Sequence, residues 1–112
     1  MTDKIVVIST CASFEEATRI ARHLVDSRVA ACVTITPGVR SIYRWKGAVE
    51  DSEEFALTIK SRRDLFESLC AELRKVHSYE VPEILALAVV DGAPSYLDWL
   101  DRELVRPEET ET

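Results

Sequence analysis

A chain of 112 residues, 46% apolar and 30% charged, has the length of one domain and the composition of an ordinary soluble globule rather than of a disordered segment. Its net charge of −6 argues against a nucleic-acid partner or an anionic membrane surface, both of which need a basic face. The cysteines Cys11, Cys32 and Cys70 are odd in number and widely spaced, which makes neither a disulfide framework nor a zinc knuckle, so the expectation is a reduced, cytoplasmic protein.

The apolar run Ile5 to Ile8 is too short for a signal h-region and has no small-residue cleavage site after it. No stretch approaches a membrane span. Lys4 to Thr10 reads as a buried strand, short and β-branched with no helical period. Ser13 and Glu16 form a capping-box pattern, and Ala17, Ile20, Ala21, Leu24 and Val25 then mark one face of an amphipathic helix that ends near Ser27. Ala31 to Thr36 predicts a second strand, Pro37-Gly38 interrupts it, and Val39 to Trp45 follows. Lys46-Gly47 predicts a hairpin turn, with Val49 to Lys60 as the returning strand. Ser61 with Asp64 predicts the start of a second helix, striped by Leu65, Leu69, Leu73 and Val76. The segment His77-Ser78-Tyr79-Glu80-Val81-Pro82-Glu83 resists a helix because Pro82 drives Val81 toward an extended conformation. It predicts a loop, followed by a fourth strand from Ile84 to Val90. Pro94 suits the first turn of a short last helix, docked by Tyr96, Leu97, Trp99, Leu100 and Leu104. From about residue 106 to 112 the chain reads as a flexible acidic tail.

This order is β-α-β-β-α-β plus a terminal helix, which predicts an α+β fold of the ferredoxin-like, split βαβ type in a single domain spanning residues 1–112. One face of such a sheet has no helix to cover it, yet Ile5, Val6, Val7 and Ile8 are apolar at both parities. A sheet apolar on both faces must bury both, so a homo-oligomer is expected. Cys32 to Trp45, if extended, spans roughly 45 Å, against a globule roughly 35 Å across. The long hairpin around Trp45 must therefore bend at Pro37-Gly38 or protrude, and Ile42, Tyr43, Trp45 and Phe55 would give it an apolar interface.

The loop carries an imidazole, a phenol and two carboxylates, and loops on a rigid scaffold are where ligand contacts concentrate. His77 is a metal-ligand candidate because a neutral imidazole is the commonest such donor. Glu80 is a second candidate, meeting His77 only if the loop turns, since in an extended segment the two point to opposite sides. Cys11 is the third, as the one thiol near a strand end. Each has a structural alternative: His77 as a helix-ending residue bonded to backbone, Glu80 and Glu83 as ion-pair partners, the cysteines as buried inert thiols. Tyr43, Trp45 and Tyr79 either line a cleft between subunits or are interface aromatics. Lys60, Arg62 and Arg63 read as a solvated basic end, and His23 as an exposed helix residue. The three glycines are isolated, so there is no phosphate loop, and an enzyme is not expected.

Five segments are specific in order and spacing: Ala30 to Val39, Ser41 to Gly47, Glu54 with Lys60, His77 to Ile84, and Tyr96 to Trp99. Together they closely resemble the CutA family of divalent-cation tolerance proteins, from about Val6 to Leu104. The resemblance implies a compact cytoplasmic homotrimer with the ferredoxin-like fold, no enzymatic activity, no organic cofactor, and weak binding of Cu(II) or another divalent cation in tolerance of metal ions. The copper site attributed to one branch of the family uses a cysteine that falls here on Ser9 and two adjacent histidines that fall on Val76 and His77. Of these positions only His77 can ligate; with Glu80 and Cys11, the candidates from the residue chemistry, it makes the metal set expected in this chain. Similarity of such trimers to PII signalling proteins implies an alternative, a ligand-sensing module with its site in the cleft between subunits.

Overall fold

A computed structural model describes residues 1–106; the rest of the expected acidic tail, residues 107–112, lies outside the described residues. The elements are β1 (Lys4–Cys11), α1 (Phe14–Asp26), β2 (Cys32–Trp45), β3 (Ala48–Arg62), α2 (Phe66–Val76), β4 (Leu85–Ala88) and α3 (Pro94–Glu103). The strands make one antiparallel sheet in the order β2-β3-β1-β4. This is the ferredoxin-like arrangement that the element order predicts.

Local chemistry explains most of the boundaries. The Ser13 hydroxyl accepts the Glu16 N–H at 3.1 Å, capping α1. Ser61 does not cap α2 as expected. It is fully buried, and its hydroxyl donates to the Val29 carbonyl at 2.6 Å. A buried hydroxyl must find a partner, and this distant carbonyl outcompetes a local cap. β3 therefore runs on through Arg62, and α2 begins after a 3-10 turn at Arg63–Leu65 with no side-chain cap. Regular pairing of β4 stops at Ala88, short of the expected Val90, although Val89 still donates to the Lys4 carbonyl.

One face of the sheet packs against both helices. Val7, Leu57 and Ile59 meet Ile20 and Leu24 of α1 and Leu69 and Leu73 of α2, all fully buried or nearly so. α3 sits on a second cluster, Ala31, Leu65, Leu100 and Leu104. Charge holds it there too. Arg62 is buried rather than solvated; it donates to Asp64, Asp101 and the Val105 carbonyl. Lys4, also buried, lies 3.3 Å from the same Asp101. His23 is likewise not idle: its Nε2 meets Glu72 at 2.8 Å, joining α1 to α2.

On the other face the register aligns Val6 with Leu87 and Lys60, and Ile8 with Leu85 and Thr58. Leu85 and Leu87 are more than half exposed. The hairpin does both things the length argument allowed. Its register slips between Thr36 and Val39, with Gly38 at φ +70, so Pro37-Gly38 forms a bulge inside one continuous strand. It then protrudes, giving a longest extent of 43 Å. Lys46 and Gly47 turn it with φ of 50 and 84, the two positive values of a type I′ turn.

Candidate functional site

The end of α2 places His77. Its backbone is extended, at φ −95 and ψ 138, which stops the helix and carries the chain toward β1. The side chain is completely buried. The ring meets the Thr10 carbonyl through Nε2 at 2.8 Å and the Tyr79 N–H through Nδ1 at 3.0 Å. A carbonyl only accepts and an amide N–H only donates, so these contacts make Nε2 the donor and Nδ1 the acceptor. The Nδ1 lone pair that a metal would take is engaged by Tyr79.

Behind the ring stands Glu16, almost fully buried, with Oε2 at 3.8 Å from His77 Nδ1. Its carboxylate accepts the Ser78 N–H at 2.7 Å and the Ala12 N–H at 3.3 Å. Burial pushes this carboxyl up, but the Ser78 and Ala12 bonds outweigh it and hold it below the usual carboxylate range. The sequence suggests only a capping role for Glu16. In the fold it ties the start of α1 to the loop, through a partner 62 positions away that no local pattern signals.

Cys11 is fully buried, with its thiol 3.6 Å from the Ser13 carbonyl. Burial, and then the nearby Glu16 charge, push the thiol up, so at neutral pH it keeps its proton and is a poor ligand. Glu80 lies on the outer side of the loop, exposed, with Oε2 at 3.8 Å from Lys46 Nζ. The fold thus sets His77 and Cys11 around Glu16 and leaves Glu80 beside the hairpin turn. Among the described residues no three His, Cys, Asp or Glu side chains group closely enough to hold a metal ion.

The loop and the arm of the hairpin enclose an open cleft of about 700 Å³, walled by Tyr43, Trp45, Tyr79, Glu54, Glu80 and Glu83. The charged residues lining it are all acidic. Tyr79 donates its phenol to Glu54 Oε2 at 2.5 Å, and Glu54 is only 4% exposed. Burial, then the hydrogen bond to Glu54 and its charge, push the phenol far above its ordinary range, so Tyr79 stays a neutral donor. The His77 ring packs on the Tyr79 ring, centroids 4.8 Å apart. His77 therefore acts on the cleft indirectly, by fixing the Tyr79 backbone and ring. At the outer edge the Lys46 ammonium sits 5.6 Å from the centre of the Trp45 ring.

Comparison with known proteins adds a family. The sequence model described as "CutA1 divalent ion tolerance protein" matches residues 5–103. The divalent-cation tolerance protein CutA of Thermus thermophilus is 46% identical over 95 residues, covering 85% of this chain and 92% of that one. The chloroplastic protein CutA of Arabidopsis thaliana is 41% identical over 96 residues; this chain spans about half, 53%, of its length. The crystal structure of CutA from Xylella fastidiosa superposes with a TM-score of 0.90 at 38% identity, covering 93% of this chain and all of that one.

Proposed function

Because this chain belongs to the CutA1 divalent ion tolerance protein family, we propose that it acts in tolerance of divalent cations, as a non-catalytic protein that binds such ions weakly at the cleft beside the 77–83 loop. The observation that carries this reading is the composition of the cleft, whose lining includes the acidic residues Glu54, Glu80 and Glu83 and no basic residue, with Lys46 at its rim. In a chain of net charge −6, such a concave acidic surface concentrates cations. Glu80 is the first contact, being exposed and held only by a long pair with Lys46. His77 is the softer donor on that loop, of the kind that favours Cu(II). His77 joins only by releasing the Tyr79 N–H, which is why the affinity is low.

The active form in this reading is a homotrimer in the cytoplasm. Support for assembly comes from the open sheet face with Leu85 and Leu87, and from the exposed Ile42 and Val49 of the arm. The cysteines are unpaired, as suits a reducing compartment. Calorimetric titration with Cu(II) tests the site: binding should weaken in Glu80→Gln and His77→Ala, and equal affinity in wild type and both variants would remove the metal from this loop.

A second reading, a ligand-sensing module similar to PII proteins, is favoured by the aromatic walls of the same cleft. Tyr43, Trp45 and Tyr79 offer an organic ligand contact area that a bare ion would not use.

A further inference from the structure

The cleft joins two features that a small metal site does not need. Its carboxylates are spread along the wall rather than converged, since no three ligating side chains group among the described residues. Between them stand the rings of Tyr43, Trp45 and Tyr79. A point charge gains from convergent oxygens at short range. Separated carboxylates with apolar faces between them match instead a flexible chain whose positive charges are themselves separated by methylene groups.

Two further observations point to an ammonium ligand. The Lys46 ammonium already lies over the Trp45 ring, 5.6 Å from its centre, and 3.8 Å from Glu80 Oε2. The chain's own alkylammonium thus occupies an aromatic-and-carboxylate corner at the rim. Deeper in, Glu54 is more than nine-tenths buried and lines the cleft. Tyr79 bonds its Oε2, and among the described residues no donor meets its Oε1. A carboxylate oxygen open to a cleft, on a side chain already held by Tyr79, can accept a charge-assisted bond from an incoming ammonium N–H.

From this juxtaposition we infer that the cleft binds a linear aliphatic polyamine. One ammonium of the ligand takes the place of Lys46 between Trp45 and Glu80, a second bonds Glu54 Oε1, and the methylene stem lies along the aromatic wall with Glu83 nearby. Lys46 is then a tethered competitor: it holds the rim while no ligand is present and swings out when one binds. The inference deepens the ligand-sensing reading and does not depend on metal binding.

Spermidine titrated into the full-length protein in metal-free buffer, followed by Trp45 fluorescence and calorimetry, tests this. Three results are expected. Spermidine binds saturably, and NaCl at equal ionic strength does not displace it. Trp45→Leu weakens binding about threefold, as loss of a cation–π contact implies, and Lys46→Met strengthens it by a similar factor. Glu54→Gln weakens it further; Glu83→Gln serves as the second acidic variant should the buried change unfold the protein. Equal affinity in Lys46→Met and wild type, or full displacement by NaCl at equal ionic strength, would show diffuse counterion binding and overturn the inference. Cu(II) titrated separately into the same variants distinguishes failure of the metal reading, which would leave the spermidine result standing.

Discussion

Replacing Tyr79 by Phe removes one oxygen and leaves the ring. That oxygen is the recorded partner of Glu54 Oε2 in a side chain only 4% exposed, so water cannot readily take its place. A hydrogen bond to a charged group contributes about 1.5–3 kcal/mol, and stranding the buried acceptor places the cost in that range. At about 2.1 cal/mol/K of unfolding entropy per residue, a chain of 112 residues unfolds with about 0.24 kcal/mol/K. The expected fall in Tm is therefore about 6–13 °C. The assay is a thermal melt followed by circular dichroism at fixed protein concentration, because assembly makes Tm concentration-dependent. Tyr43→Phe is the control: its hydroxyl is 3.4 Å from Ser52 on the exposed arm, and its loss should cost less than about 0.5 kcal/mol. Equal shifts in the two variants would refute the claim that the Tyr79–Glu54 bond anchors the loop to β3.

The Glu16 carboxyl is held below its ordinary value of 4.5, so the stability it contributes is present above that pH and is lost as pH falls through the folded value. In acid titrations of stability, Glu16→Gln should be less stable than wild type at pH 7 and lose less on acidification; parallel curves would contradict the staple. Native mass spectrometry at micromolar concentration should give a trimer, whereas a monomer would undo the argument from the open sheet face. Asp101→Ala deprives Arg62 and Lys4 of a shared partner, but Asp101 is itself more than half exposed, so the cost should be about 1 kcal/mol. Hydrogen exchange should show it as faster exchange in α3 with the central strands unchanged; uniform acceleration would mean that α3 is not separately held.

Local patterns carried the elements well where the chemistry is local. The Ser13 cap, the α1 face and the Lys46-Gly47 turn all follow from neighbours within a few positions, and the structure has each of them. The sequence misleads where a distant partner takes over a side chain. Ser61 looks like a cap but serves Val29, 32 positions away, and Arg62 looks solvated but is consumed by α3. The loop at 77–83 was legible as a loop, because Pro82 forbids a helix through polar residues. The division of labour inside it was not. That His77 faces inward to position Tyr79, while Glu80 faces the hairpin, depends on Thr10, Glu16 and Glu54, which only the fold brings near.

The central claim is that divalent cations meet this protein at the acidic cleft. Paramagnetic broadening by substoichiometric Cu(II) in an assigned amide NMR spectrum tests it most directly, residue by residue. The account predicts that amides of Ser78 to Glu83 and of Tyr43 to Lys46 broaden first, and that Glu80→Gln reduces the effect. Broadening scattered over the acidic surface, or centred away from the cleft and unchanged by Glu80→Gln, would contradict it.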